Sequence, residues 1–124
     1  MKTPKFFTLL ITLLVLASCS NGDAPSHAPV MADKTISVSE NITSDLVTQM
    51  DASDSEGHSL SFSIVSQTPT NSISIYETSG EIFVANPSAF DYEQNTQIVA
   101  TISVSDGEAE TEATLTITII DEVE

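Results

Sequence analysis

Residues Ile98 to Ile119 read IVATISVSDGEAETEATLTITI, and this stretch decides the fold class. Apolar residues occupy every second position on both sides of the Asp106-Gly107 turn, namely Ile98, Ala100, Ile102 and Val104 before it and Leu115, Ile117 and Ile119 after it. Successive side chains of a β-strand point to opposite faces, so a period of two predicts strands with one buried face. The stretch therefore predicts a strand, a turn and a second strand.

The same alternation recurs in four segments upstream. Their apolar residues are Ile36 and Val38; Leu60, Phe62 and Ile64; Ile73 and Ile75; and Ile82 and Val84. A further strand is predicted near Leu46 to Ala52, turn formers such as Ser79-Gly80 separate the segments, and none has the length of an ordinary helix. Seven short strands, predicted to be antiparallel, indicate an all-β, seven-stranded Greek-key β-sandwich of immunoglobulin-like shape.

The charge and hydrophobicity of residues 1–18 predict a signal peptide. Lys2 and Lys5 supply positive charge, and the apolar run from Phe6 to Leu16 that follows is short of the roughly 20 residues needed to span a bilayer. Leu16-Ala17-Ser18-Cys19 resembles the lipobox of bacterial lipoproteins, which implies a lipid on Cys19. The alternative is an ordinary secretory signal followed by an incidental Cys. The lipobox is favoured because Cys19 is the only cysteine of the sequence and could form no internal disulfide.

Residues 19–33, after the signal, are predicted to form a lipid-anchored tether. Ser, Ala, Pro, Asn and Gly dominate this segment, and its apolar residues show no periodic spacing. Residues 34–124 are then one β-sandwich domain. By resemblance to lipoprotein sorting rules, Ser20 favours the outer membrane. The expected location is therefore the cell envelope, as an outer-membrane lipoprotein that touches the membrane through its lipid anchor only.

The chain is strongly acidic, with 18 Asp and Glu residues against three Lys and Arg and a formal net charge of −15. Two of the three basic residues lie in the signal, which leaves Lys34. This balance disfavours nucleic acid and anionic lipid as partners. Such a chain can be disordered, but its alternating Val, Ile, Leu and Phe favour a folded domain. Solubility or a salty environment is the alternative explanation for the acidity.

The acidic residues are predicted to gather at the two ends of the sandwich, where strands end. Asp54, Glu56 and Asp106 would meet at one end. Glu40, Asp91, Glu93 and Asp121 would meet at the other. Clustered carboxylates repel one another, and Ca²⁺, with six to eight oxygen ligands, relieves that repulsion. The sequence thus predicts two candidate calcium sites.

Five short motifs match the signature of cadherin domains in order and spacing. Val38-Ser39-Glu40-Asn41 resembles x-E-N, and Ala52 to Gly57 (ASDSEG) resembles A-x-D-x-D-x-G with Glu at the second Asp and one residue fewer. The others are Ser79-Gly80-Glu81-Ile82 for G-x-I, Phe90-Asp91-Tyr92-Glu93 for L-D-x-E, and Val104-Ser105-Asp106 for A-x-D. The match spans about Ala28 to Glu124, and it implies a cadherin-like domain whose seven acidic residues named above ligate calcium.

Two departures from the cadherin pattern affect the implied metal sites. The exit motif D-x-N-D-N is present only as Asp121-Glu122-Val123-Glu124, with Val123 at the Asn position. Pro25, Ser26 and His27 stand where the linker before the domain would supply ligands. In cadherins each calcium cluster is shared between neighbouring domains. The resemblance therefore implies weak calcium binding, near the roughly 10⁻⁴ to 10⁻³ M of extracellular modules.

Two functions are consistent with these features. The first is a calcium-binding adhesion or interaction module, displayed on the bacterial envelope by its lipid, that contacts itself or another protein. The second is a structural envelope lipoprotein without functional calcium. Carbohydrate binding through Phe90 and Tyr92 is a minor option. An enzyme is not predicted, because His27 and His58 are expected to be solvated and no Ser, His and acid have the spacing of a triad.

Overall fold

The computed structural model describes residues 26–123, which form nine strands and one short 3-10 turn. The strands are β1 (Val30–Met31), β2 (Lys34–Ser39), β3 (Leu46–Gln49), β4 (Ala52–Ser53), β5 (Ser61–Thr68), β6 (Ile73–Ile75), β7 (Glu81–Val84), β8 (Gln97–Ser105) and β9 (Glu110–Ile120). The 3-10 turn spans Pro87–Phe90. No helix in this described part is long and apolar enough to cross a membrane.

The strands form a β-sandwich. One sheet has four strands in the order β2-β9-β8-β5, the other has three in the order β3-β7-β6, and β1 and β4 form a separate pair. The longest antiparallel pairing joins β8 to β9, from Gln97 opposite Thr118 to Ser105 opposite Glu110. These are the two strands that the alternation after Ile98 predicts, so the all-β sandwich is confirmed.

One pairing differs from the predicted antiparallel arrangement. β2 runs parallel to β9, with Lys34 opposite Leu115 and Ser39 opposite Ile120. The description of the strands as antiparallel is wrong for this pair, because a period of two shows which face is buried but carries no strand direction. The expectation that Glu40 and Asp121 lie at one end of the sandwich, however, requires β2 and β9 to run in the same direction, as they do. The parallel pairing has a consequence for the site, since β2 and β9 end at the same edge of the sheet.

The region around Met50 also departs from the predicted single strand. β3 ends at Gln49 and β4 begins at Ala52, while the side chain of Met50 enters the core with 2% exposure. β4 then pairs with β1, with Val30 opposite Ser53 and Met31 opposite Ala52. β1 lies in the segment whose composition predicts a tether, and two residues are too few to show a period.

The core lies between the two larger sheets and contains the residues that the alternation predicts to be buried. Ile98, Ala100, Ile102, Val104, Leu115, Ile117 and Ile119 are each 2% exposed or less. Phe90, at the end of the 3-10 turn, is fully buried in the same cluster. This packing fixes the turn that carries Asp91 and Glu93 to the body of the sandwich.

Gly80 closes the turn before β7 in a conformation that other residues rarely adopt. Its φ is +75°, and a Cβ at this position would lie 2.8 Å from the carbonyl oxygen of Met50 and 3.1 Å from the ring of Phe62. We expect Gly80→Ala to lower the free energy of unfolding by about 3 kcal/mol, because backbone strain adds to displacement of a neighbouring backbone. Urea unfolding measures this loss.

Gly57 provides the matched control for this substitution. Its φ of +78° is nearly the same, but a Cβ there would meet nothing within 4 Å. Gly57→Ala should therefore cost only the strain of the left-handed backbone, about 1 kcal/mol. Equal losses in the two variants would contradict the role assigned to the contact between Gly80 and Met50.

Candidate metal-binding sites at the two ends of the sandwich

Two groups of side chains in the described part of the chain could hold a metal ion. Glu40, Asp91 and Glu93 form the first, called here the Glu40 pole, and Asp54, His58 and Asp106 form the second, called here the Asp54 pole. Within each group the candidate ligand atoms lie within 4.8 Å of one another. The length of β8 separates the two poles, about 30 Å at the usual rise of a strand.

The Glu40 pole is built where β2 and β9 end together. The N–H of Glu40 donates to the carbonyl of Ile120 at 3.0 Å, which extends the pairing of the two strands by one residue. Asp91 follows the 3-10 turn, which Asn86 caps by accepting a hydrogen bond from the N–H of Ser88 at 3.1 Å. The sheet edge and the capped turn thus bring their carboxylates together.

Backbone N–H groups hold the carboxylate of Glu40 in place. Oε1 accepts a hydrogen bond from the N–H of Glu122 at 2.8 Å, and Oε2 accepts one from the N–H of Tyr92 at 3.1 Å. These two bonds hold the pKa of Glu40 below its ordinary value because they stabilise the charged form. The bond from Glu122 has the larger effect. Glu40 therefore remains a carboxylate at neutral pH.

Glu93 is in the opposite electrostatic situation. A side-chain hydrogen bond with the Asp91 carboxyl is the largest cause that raises the pKa of Glu93, and the negative charges of Glu40 and Asp91 raise it further. No Lys, Arg or His side chain among residues 26–123 forms an ion pair with Glu40, Asp91 or Glu93. The pole therefore has a local excess of negative charge that a cation would balance.

The Asp54 pole combines two buried carboxylates with one imidazole. Asp54 and Asp106 have side chains that are 1% and 0% exposed, whereas that of His58 is 42% exposed. Nδ1 of His58 lies 3.4 Å from Oδ2 of Asp54 and 3.9 Å from Oδ2 of Asp106. The turn after β4 and the turn between β8 and β9 bring these three side chains together.

Each of the two aspartates uses one oxygen to brace its own turn. Oδ1 of Asp54 accepts from the N–H of Glu56 at 2.6 Å. Oδ1 of Asp106 accepts from the N–H groups of Ala109 and Glu108, both at 2.8 Å. The bonds from Ala109 and Glu108 keep the pKa of Asp106 below its ordinary value despite burial, and the bond from Ala109 has the larger effect.

Two of the residues predicted from the sequence lie outside both groups. Oε2 of Glu56 is 2.6 Å from Nδ1 of His27, and this contact is the main cause that lowers the pKa of Glu56. Asp121 lies beside Glu40 and helps to lower the pKa of that residue, but it is not in the group within 4.8 Å. The predicted lipidation site, Cys19, falls outside the described residues.

His58 is the candidate ligand that sequence reasoning missed. The prediction of a solvated histidine agrees with its 42% exposure, but the contacts of Nδ1 with Asp54 and Asp106 were not predicted. The sequence contains a weak signal, because His58 follows Asp54 by four residues and Gly57, with φ +78°, lies between them. A glycine in that conformation reverses the chain and allows the following side chain to return toward Asp54.

The two aromatic residues considered for carbohydrate binding have different environments. Phe90 is fully buried, so its ring is not available to stack on a sugar. Tyr92 is partly buried and packs against the hydrophobic core. Both residues therefore support the loop that carries Asp91 and Glu93.

Both poles meet the first requirement of a hard divalent cation, which is several oxygen atoms in a small space. The Glu40 pole offers three carboxylates beside an open polar groove that Asn41 and Ser88 also line. The Asp54 pole offers two buried carboxylate oxygens that have no hydrogen-bond partner among the described residues. The donor atoms present therefore fit a bound calcium ion.

Comparison with known proteins agrees with the fold. Residues 34–120 match the family model described as Cadherin domain. Human Protocadherin-24 EC1-2 is similar in structure, with a TM-score of 0.67 and 20% identity over 77% of this chain and 44% of that one. Comparison with the sequences of curated proteins finds no match.

Two further structures show the same likeness. The extracellular cadherin domains 1-5 of Protocadherin Gamma B2 match with a TM-score of 0.66 and 25% identity over 78% of this chain and 21% of that one. Mouse Cadherin-23 EC22-24 matches with a TM-score of 0.67 and 17% identity over 74% of this chain and 32% of that one. The chain thus spans less than half the length of each of the three solved chains.

Proposed function

The chain belongs to the cadherin domain family, and on this premise we propose that it is a calcium-binding adhesion or interaction module, held at a bacterial cell envelope by a lipid on Cys19. The observation that carries the calcium part is the Glu40 pole. Three carboxylates converge there, and no cationic side chain of residues 26–123 pairs with them. A calcium ion would balance the negative charge that Glu40 and Asp91 place beside Glu93.

Glu40, Asp91 and Glu93 would be the protein ligands of calcium at this pole. Carboxylates bind Ca²⁺ through one or both oxygens, and the ion takes six to eight oxygen ligands in all. Three carboxylates supply at most six, so Asp121 or water would complete the set. Asp54 and Asp106 would supply carboxylates at the other pole. Calcium would add charge balance and would fix the loop after the 3-10 turn to the ends of β2 and β9.

The envelope location rests on the sequence of the first 33 residues. Residues 1–18 would act as the signal peptide and residues 19–33 as the tether, with the outer membrane as the destination. A lipid anchor with a tether presents the sandwich to a protein partner, either another copy of the chain or a different protein. The acidity of the chain supports a role without nucleic acid, and the proposal includes no catalytic activity.

A second candidate function is that of a structural envelope lipoprotein whose carboxylates serve the fold alone. One observation favours it, since backbone N–H groups already donate to both oxygens of Glu40 and to Oδ1 of Asp106. These hydrogen bonds brace loops without a metal. The two candidates therefore differ in whether Ca²⁺ adds stability beyond what the hydrogen bonds provide.

Thermal unfolding of the metal-stripped full chain tests the proposal. We expect about 10 mM Ca²⁺ to raise the melting temperature by roughly 5–15 °C, because a ligand at 10 to 100 times its Kd stabilises the folded state by about 1.4–2.7 kcal/mol. NaCl at the same ionic strength should give a smaller rise, which comes only from screening of the net negative charge.

The control variant is Glu112→Gln, which removes one exposed carboxylate of β9 that lies opposite Ser103 and belongs to neither pole. It should keep the full effect of calcium. An equal rise in Ca²⁺ and in NaCl for the unsubstituted chain would overturn the calcium proposal and favour the structural candidate.

A further inference from the structure

The outer face of the three-stranded sheet carries apolar side chains that are open to solvent. Ile82 of β7 points into the core, so the alternation along the strand places Phe83 on the opposite, outer face. Leu46 of β3 lies opposite Phe83, and residues directly opposite in an antiparallel pair have their side chains on the same face. Leu46 and Phe83 are therefore neighbours on the outer face, where Leu46 is 45% exposed.

Tyr76 extends this apolar surface. Its N–H donates to the carbonyl of Glu81 at 2.9 Å, which continues the pairing of β6 with β7 by one residue and places Tyr76 on the outer face. Its ring centroid is 5.0 Å from that of Phe83, and Tyr76 is 59% exposed. Contiguous exposed apolar side chains mark interaction sites, and aromatic residues are enriched in protein interfaces. Leu46, Tyr76 and Phe83 are called here the Tyr76 patch.

Carboxylates lie beside the Tyr76 patch. Glu81 is opposite Tyr76 on the same outer face, and its Oε1 accepts a hydrogen bond from the hydroxyl of Ser79 at 2.9 Å. Glu77 follows Tyr76 directly and is exposed. Among residues 26–123, no Lys, Arg or His side chain forms an ion pair with Glu77 or Glu81. The surface thus combines an exposed aromatic ring with adjacent negative charge.

The charge of the chain decides between a second copy and a different protein as the occupant. Lys34 is the only Lys or Arg among residues 26–123, and its Nζ already donates to the carbonyl of Gln49 at 2.6 Å and lies 3.6 Å from Oδ2 of Asp51. A second copy would therefore bring more carboxylates to the patch without cations to pair with them, which opposes association. Charge complementarity instead favours a basic segment of a different protein.

Arginine is the side chain that fits this surface best. Its guanidinium stacks on an aromatic face and pairs with a carboxylate, and Tyr76 and Glu81 offer these two groups side by side. We propose that the Tyr76 patch binds an arginine-containing segment of another protein, with the guanidinium on the ring of Tyr76 and beside Glu81. Leu46 and Phe83 would contact an apolar side chain of that segment. The inference rests on the interaction part of the proposed function and names the class of partner, but it does not depend on calcium.

A titration of the metal-stripped full chain with a dye-labelled peptide of alternating leucine and arginine, followed by fluorescence anisotropy, tests the proposal. We expect Tyr76→Ala to weaken binding by at least about fivefold, because the cation–π contact and the apolar area of the ring are both lost. Tyr76→Phe keeps the ring and should keep the affinity. Val65→Ala is the matched control, since Val65 is 54% exposed but lies in β5 of the other sheet, and it should also bind as the unsubstituted chain does.

Two substitutions that each remove one negative charge separate this contact from general attraction to an acidic chain. We expect Glu81→Gln to weaken binding about threefold, whereas Glu112→Gln, in β9 of the other sheet, should have a much smaller effect. Equal losses in these two variants, or in Tyr76→Ala and Val65→Ala, would overturn the proposal. Equal binding of a leucine–glutamate peptide, a dimer that Tyr76→Ala dissociates, or binding of the neutral oligosaccharide maltohexaose in place of the peptide would also overturn it.

The same titration, repeated in millimolar Ca²⁺, separates this inference from the calcium proposal. If binding depends on Tyr76 but Ca²⁺ gives no rise in melting temperature, the docking surface stands and the calcium function fails. If Ca²⁺ gives that rise but the peptide does not bind, or binds equally well to Tyr76→Ala, the calcium function stands and the docking surface is wrong.

Discussion

Phe90→Ala is expected to lower the free energy of unfolding by about 3–5 kcal/mol, the range for removing a buried phenyl ring from a core. Phe90 is 0% exposed and belongs to the central hydrophobic cluster. Domains of this size have a total stability of about 5–15 kcal/mol, so the variant would lose a large part of it. Urea unfolding of the metal-free chain is the measurement.

Phe83→Ala serves as the control for Phe90→Ala. Phe83 lies in β7, is only partly buried, and packs against Tyr76 with 5.0 Å between ring centroids. Because the same atoms are removed from a less buried place, we expect a loss of about 1–2 kcal/mol. A loss as large as that of Phe90→Ala would show that burial at the end of the 3-10 turn has no special weight.

The role of Phe90 also extends to the Glu40 pole. Asp91 follows it directly, and Asp91 and Glu93 are positioned by the turn that the buried ring anchors. Phe90→Leu keeps most of the apolar volume and should leave the protein folded. In that variant any loss of calcium binding reports on the position of the loop instead of on unfolding.

The strands could be predicted because burial alternates along them. Ile98 to Val104 and Leu115 to Ile119 have their apolar residues in the core, and the sequence contains that period directly. The pairing of β2 with β9 could not be predicted, since no local pattern encodes a strand partner 81 positions away, as between Lys34 and Leu115. The break at Met50 depends on the hydrogen bond that the N–H of Met50 donates to the carbonyl of Gly80, which is also a distant contact.

The candidate site could be predicted in part for a similar reason. Asp54 and Asp106 each follow a strand, so the ends of those strands bring them together. The partner of Glu56 could not be foreseen, because its contact with His27 depends on the path of the chain before β1. The position of His58 depends on the backbone of Gly57, which a residue pattern does not specify.

Substitutions at Glu93 and Glu40 are expected to change the stability of the calcium-free protein in opposite directions at neutral pH. The pKa of Glu93 is raised, so its charged form is disfavoured in the folded state and Glu93→Gln should raise the melting temperature. The pKa of Glu40 is lowered, so its charged form is favoured and Glu40→Gln should lower it. Both substitutions remove one negative charge, and the net charge therefore does not explain the difference.

The pH dependence gives a further check on these signs. The stability that Glu40 contributes is present above its ordinary pKa of 4.5 and is lost as the pH falls through its lower folded pKa. For Glu93, the stability is present below 4.5 and is lost as the pH rises through its higher folded pKa. The gain from Glu93→Gln should therefore be seen at pH 7 and should disappear below about pH 4, where Glu93 is protonated.

In calcium the two variants should behave alike, and this is the second large effect. If Glu40 and Glu93 are ligands of one ion, each substitution should abolish most of the stabilisation by Ca²⁺ at this pole, about 2.7 kcal/mol when calcium is at 100 times its Kd. Glu112→Gln should retain it. Glu93→Gln would then be more stable than the unsubstituted chain without calcium and less stable with it. A reversal of this kind requires a cation beside Glu93, whereas an unchanged order in both conditions would show that the carboxylates only brace the fold.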